Sequence, residues 1–190
     1  VIATVDRLMN GYLFGEAGHR IYEFLWNDFA DWYVEVAKVH MNKAGSQAWT
    51  TLYVLNHVLD QSLRLLHPYI PFVTEETWQQ LRAAAIDSGL GIGPKEGWAD
   101  GLIIADWPQQ WIVDPQAETE FELLRDLIRR VRNTRAEHGV APNRYIPALV
   151  SAGEMLEFLR SQQPIIAALA RFDHPGPWPN HLLPAAGGDG

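Results

Sequence analysis

The sequence predicts a mainly α fold, a helical bundle with a small α/β appendage at its C-terminal end. Three observations carry that prediction. Apolar residues recur at three- and four-residue spacing through most of residues 1–140. Proline falls between these periodic stretches or at their first position. After Gly139 the pattern changes to short segments interrupted by proline and glycine. The expected organisation is a bundle over 1–140, a strand-helix-helix appendage over 141–175 and a disordered tail over 176–190.

The elements follow in order. Ile2, Val5 and Leu8 predict a short helix that Gly11 ends. A long helix over 14–41 follows, with Ala17, Ile21, Phe24, Leu25, Phe29, Trp32, Val36 and Val39 as its buried stripe. Asp28, Asp31 and Glu35 lie on a second face. Residues 42–45 form a turn. Leu52, Leu55, Leu59, Leu63 and Leu66 predict the next helix, over 47–67. The corner LLHPYIPFVTEETWQQ (65–80) stops that helix at Pro68 and opens another after Pro71, since the second proline's missing N–H is not needed in a first turn. Residues 87–111 carry five glycines, two prolines and Trp98, Trp107 and Trp111. They predict a surface-wrapped loop with a short extended piece at Leu102-Ile103-Ile104. Asp114 caps a helix over 115–138, whose acidic start and basic end suit the helix dipole. Beyond it, Tyr145–Val150 predicts an edge strand, since Pro147 lacks a donor, and two short helices follow over 154–162 and 164–172.

Composition narrows the function. The chain is 47% hydrophobic, with eight tryptophans and no cysteine, which excludes a disulfide scaffold, a thiolate metal site and a cysteine nucleophile. No apolar run reaches the roughly 20 residues of a membrane span. The chain begins at Val1 in a helical pattern without an initiator methionine, so a longer parent polypeptide is expected. The net charge of −8 opposes nonspecific nucleic-acid binding. The charge is uneven, however: residues 125–144 hold six arginines against Asp126 and Glu137.

No catalytic residues and no metal ligands are predicted. Gly89, Gly91 and Gly93 lack the lysine and the strand–helix setting of a phosphate loop. Asp28, Asp31 and Glu35 lack a histidine at metal-ligand spacing. Two features suit RNA. Arg125, Arg129 and Arg132 share one helix face with Arg135 nearby, and guanidinium pairs well with phosphate. Lys38 and Lys43 stand beside Trp49, Thr50 and Tyr53 around the 42–45 turn, where aromatics could stack unpaired bases. Core packing for Trp49 and Tyr53, and a solvated face for the arginines, are the competing readings.

Three blocks carry a family resemblance. They are LHPYIPFVTEETW at 66–78, YEFLWNDFADWYVEVAK at 22–38 and RRVRNTRAEHGVAP at 129–142. Together they resemble the helical anticodon-binding domain of class I aminoacyl-tRNA synthetases, and among them the valyl-tRNA synthetases, over residues 1–172. The resemblance implies an ATP- and Mg-dependent cytoplasmic enzyme that attaches valine to its tRNA through a valyl-adenylate. Its HIGH- and KMSKS-type motifs and its editing domain have no counterpart in these 190 residues, and the family's first bundle helix is expected upstream of Val1. The fragment itself is then non-catalytic and carries no cofactor. Its partners would be the anticodon arm of valine tRNA and the remaining domains of its own polypeptide. Lys38, Lys43, Trp49, Thr50 and Tyr53 are the expected anticodon contacts, and Arg125 and Arg129 are further RNA candidates. Asp28, Asp31, Glu35, Arg132 and Arg135 are the expected structural brace. The alternatives are the equivalent domain of an isoleucyl- or leucyl-type enzyme, or a stand-alone helical module that docks a protein through the tryptophan-rich loop.

Overall fold

A computed structural model describes residues 1–41, 46–110, 113–150 and 152–173. The expected turn at 42–45, Lys43 within it, Trp111 and the tail at 176–190 lie outside the described residues. Packing divides the chain into two compact units, Val1–Val113 and Asp114–Gly190. Composition alone placed a boundary at 140/141.

The first unit contains α1 (Ile2–Asn10), α2 (Phe14–Glu23), a π-helical segment (Phe24–Tyr33), α3 (Val34–Met41), α4 (Ser46–Leu66) and α5 (Pro71–Asp87). The long helix expected over 14–41 is continuous, because the junction residues Phe24 and Val34 keep right-handed helical angles. Its middle third is nonetheless wound as a π-helix, a form that sequence periodicity does not distinguish. Tyr22 stacks on Trp26 and Phe29 on Tyr33, at centroid distances of 6.2 and 6.1 Å. Val5 and Leu8 of α1, Ala17 and Ile21 of α2 and Leu65 of α4 form one core cluster. Leu63, Trp78 and Leu102 form another.

The end of α1 departs from expectation in one detail. Leu13 N–H reaches Leu8 O and Tyr12 N–H reaches Met9 O, the paired bonds that close a helix through a left-handed residue. Glycine favours that position, yet Gly11 sits at φ −86° and Tyr12 takes φ 59°.

At the corner, Pro71 occupies the first turn of α5 as predicted. His67 Nδ1 and the buried Thr74 hydroxyl hydrogen-bond at 2.9 Å across the two prolines. That bond, with the Thr74 hydroxyl also within reach of Ile70 O, fixes the angle between the helices. Trp78 is fully buried, and its indole N–H donates to Asp60 Oδ1 at 2.6 Å. Asp60, 2% exposed, also accepts from Arg64 Nε and Gln61 Nε2.

Residues 88–110 run as a strap along α4. Trp49 Nε1 donates to Leu90 O, Asn56 Nδ2 to Ile92 O and Arg64 Nη1 to Asp106 O. Gly93 is needed where the strap passes Trp98, since a Cβ there would lie 2.8 Å from the indole nitrogen. Trp98 packs edge-on against Trp78, and Trp107 packs on the α1–α2 cluster with its N–H on Asp6. The extended piece expected at 102–104 is instead a single 3₁₀ turn (Leu102–Ile104). Glu75 explains the difference, because its carboxylate accepts the Leu102 N–H at 2.8 Å and gathers the backbone into a turn.

The Gln79 side chain and the Leu102 N–H, among other partners, hold the Glu75 carboxyl below its ordinary pKa. Its folded-state value is depressed, so its stabilisation is complete above the unfolded value and is lost as pH falls through the folded one. Glu75→Gln should therefore lower the melting temperature at neutral pH, with a cost of about 1 kcal/mol. The gap from wild type should close in acid, as a pH series of thermal melts would record.

In the second unit, α6 (Pro115–Glu137) is capped by Asp114, which accepts from the N–H groups of Gln116 and Ala117. Leu124 and Ile128 bury its apolar face, and Gly139 follows it at φ 63°. After a 3₁₀ turn (Gly153–Met155), α7 (Leu156–Ser161) and α8 (Gln163–Ala170) complete the described part. The strand expected at 145–150 is not formed. Ile146 makes one parallel bridge to Phe172, and Pro147 brings no N–H to extend it.

Candidate nucleic-acid interface

Helix α4 sets the candidate site. Trp49, Tyr53 and His57 follow each other at four-residue intervals, so their rings share one face. Trp49 and Tyr53 stack at 5.4 Å and 16°, and Tyr53 and His57 at 6.3 Å and 7°. The three rings form a near-parallel ladder. Its outer end is accessible: Trp49 is 43% exposed, while its indole N–H is held by Leu90 O.

The strap supplies the facing wall. A cleft of about 490 Å³ is lined by Tyr53, His57, Gln61 and Arg64 on α4 and by Lys95, Trp98, Asp106 and Gln109 on the strap. A second cleft of about 590 Å³ lies against Trp49, Tyr53, Ile86 and Gly91. Tyr53, Pro94, Lys95 and Trp98 line both. The lining offers flat rings, amide and guanidinium donors and carboxylate acceptors, the groups that sandwich a planar heterocycle and read its edge. Burial holds the His57 imidazole below its ordinary pKa; Asp60 and Glu96 pull it up, and Arg64 pushes it down. At neutral pH the ring is uncharged and acts as a stacking surface.

Of the expected anticodon contacts, Trp49 and Tyr53 therefore stand together in the ladder. Thr50 is exposed on α4, with its hydroxyl on Ser46 O. Lys38 is exposed on α3, and its ammonium is held by Glu35 one turn back. His57, Gln61, Arg64 and Lys95 were missed. The W-x₃-Y-x₃-H spacing was the available signal for His57, while Lys95 becomes relevant only through the path of the strap.

The arginine row divides. Arg125 donates to Glu122, and its side chain is mostly covered. Arg129 is half exposed and pairs with Asp126 at 2.8 Å. Arg132 Nε donates to Leu169 O at 2.9 Å. Arg135 is 7% exposed, and its guanidinium reaches the carbonyls of Ala141, Arg144 and Arg171. Of the three carboxylates expected with them in a brace, Asp28 is half-buried and Asp31 exposed, both on the π-helical segment, while Glu35 holds Lys38. Among the described residues, no three or more histidines and carboxylates gather as a metal ion would require. Among the described residues, no helix is long and apolar enough to cross a membrane.

Comparison with known proteins identifies the family. A family model described as the anticodon-binding domain of tRNA ligase matches residues 1–150. A valine–tRNA ligase of Halalkalibacterium halodurans is 43% identical over 154 residues, which is 80% of this chain and 16% of that protein. One from Dehalococcoides mccartyi strain 195 is 40% identical over 173 residues, 90% of this chain and 18% of that protein. One from Bacillus thuringiensis subsp. konkukian is 45% identical over 139 residues, 72% of this chain and 14% of that protein. The chain thus spans under a fifth of the length of these curated relatives. With a family model matched across residues 1–150 and a helical first unit that carries an aromatic groove, the chain belongs to the anticodon-binding domain family of tRNA ligases.

Proposed function

We propose that this chain grips the anticodon arm of valine tRNA as part of a cytoplasmic valine–tRNA ligase. Activation of valine with ATP and Mg would take place elsewhere in that polypeptide. The observation that carries the reading is the ladder of Trp49, Tyr53 and His57 facing Lys95 across a groove. Single-stranded anticodon bases are unpaired, so they can leave their own stack for protein rings at small cost. Lys95 favours the accompanying phosphates, and on the second unit Arg129 can exchange an exposed aspartate for a phosphate with little loss. The acidic surface elsewhere limits nonspecific RNA binding.

The test is binding of the chain to valine tRNA transcripts at low salt, with native and altered anticodons. Trp49→Ala, which removes the open end of the ladder, should weaken binding by about 1–3 kcal/mol, the usual worth of a stacked base. Tyr53→Phe should retain it. Arg129→Gln should weaken all transcripts alike and lower the salt slope by about one. Equal affinity for both anticodons, with no salt slope, would rule out an anticodon role.

A further inference from the structure

The second unit carries two arginines that no carboxylate neutralises. Most arginines on its helices are already engaged. Arg125 holds Glu122, Arg129 holds Asp126 and Arg160 holds Glu157, each one turn away. Arg132 and the buried Arg135 hold backbone carbonyls. Arg144 and Arg171 differ. Both are exposed, and among the described residues neither forms an ion pair with a carboxylate. Asp173, two residues beyond Arg171, is exposed and pairs with neither, so the cluster keeps a net positive charge.

The fold sets these two residues side by side. One guanidinium, that of Arg135, donates to both Arg144 O and Arg171 O, so their backbones adjoin. The Ile146–Phe172 bridge continues the same pairing. The Arg171 side chain is fixed as well. Its Nη1 donates to the Tyr145 hydroxyl at 2.8 Å, and its Cζ lies 5.5 Å from the centre of the Tyr145 ring. Tyr145 is 50% exposed, so this guanidinium rests on an open ring. Arginine has five N–H donors, and the tyrosine hydroxyl takes one of them. A planar fork already held in place loses little freedom when it binds the oxygens of a phosphate. Tyrosine hydroxyls also contact phosphate oxygens in nucleic-acid complexes.

We propose that Arg171, stacked on Tyr145, and Arg144 on the adjoining backbone hold the phosphate backbone of the bound tRNA without reading its sequence. This rests on the reading of the chain as a grip on tRNA, and it gives the second unit an RNA contact of its own. Arg129 must release Asp126 to meet a phosphate, whereas neither of these arginines gives up a carboxylate.

The test measures binding of the 190-residue chain to valine tRNA transcripts, with native and altered anticodons, across a salt series. Arg171 sits at φ 57° and ψ 48° at the end of α8, angles that glycine adopts without strain. Arg171→Gly therefore removes the guanidinium while the fold persists, as a thermal melt verifies. Arg144→Gln leaves in place the carbonyl that Arg135 holds. Each variant should weaken binding to every transcript about tenfold at low salt, the worth of a hydrogen bond to a charged group. The double variant should lower the salt slope by about one if the two arginines share a phosphate and by about two if they do not. Arg144→Lys should keep the slope, since the charge remains. An unchanged slope in the double variant, or a loss confined to the native anticodon, would overturn the inference. Failure of the anticodon reading has a different signature: the wild-type chain would bind both anticodons alike, with a slope that still responds to these two arginines. A wild-type chain that binds no transcript would overturn both.

Discussion

Asp60→Ala is expected to destabilise the first unit by about 3–5 kcal/mol, the cost of removing one partner from a buried ion pair. Asp60 is 2% exposed and is the shared acceptor for Trp78 Nε1, Arg64 Nε and Gln61 Nε2. Its loss leaves an indole N–H unsatisfied in the core and a guanidinium, 10% exposed, without its carboxylate. Arg64 also holds Asp106 O, so the strap loosens with it. Urea unfolding of the variant reads the effect. Asp60→Ala combined with Arg64→Met should recover part of the loss, because the stranded charge is removed as well. A cost below about 1 kcal/mol for Asp60→Ala alone would contradict the network, since that is the scale of an exposed pair.

Arg135→Ala is expected to cost the second unit about 3 kcal/mol, given that hydrogen bonds to a charged donor are worth about 1.5–3 kcal/mol each and water replaces some of them. One guanidinium gathers the carbonyls of Ala141, Arg144 and Arg171, residues that no regular strand or helix holds together. The Ile146–Phe172 bridge depends on the same Arg171 carbonyl, which accepts Ile146 N–H at 3.2 Å. The amides of Ile146 and Asp173 should lose hydrogen-exchange protection in the variant. Arg135→Lys should not restore it, since an ammonium lacks the planar fork that spans three acceptors.

The helices were legible because their signals are local. Pro71 opens α5, Asp114 caps α6 and Gly139 follows α6 in the left-handed conformation, each as the residue type predicts. What stayed hidden depends on contacts between distant segments. The leucine stripe of α4 was visible in its spacing, yet Thr51, Asn56, Asp60 and Ser62 are buried on the same helix. Polar positions inside a core become intelligible only with their partners, and Ile92 and Trp78 lie 36 and 18 residues away from theirs. The π-helical winding was hidden for another reason: it changes the turn without changing which residues are apolar. In the candidate site, Trp49 and Tyr53 were visible as aromatics beside lysines, whereas the groove wall at Lys95 required the strap.

The strap also bears on how this sequence can change. Trp49, Asn56 and Arg64 reach it through the carbonyls of Leu90, Ile92 and Asp106, and every residue type carries a carbonyl. Inheritance is therefore lopsided across that seam. Positions 90 and 106 can exchange side chains over generations without unfastening the seam, while positions 49, 56 and 64 cannot. The opposite wall of the groove can thus acquire new chemistry, and a new preference for the base it meets, on an anchorage that stays the same.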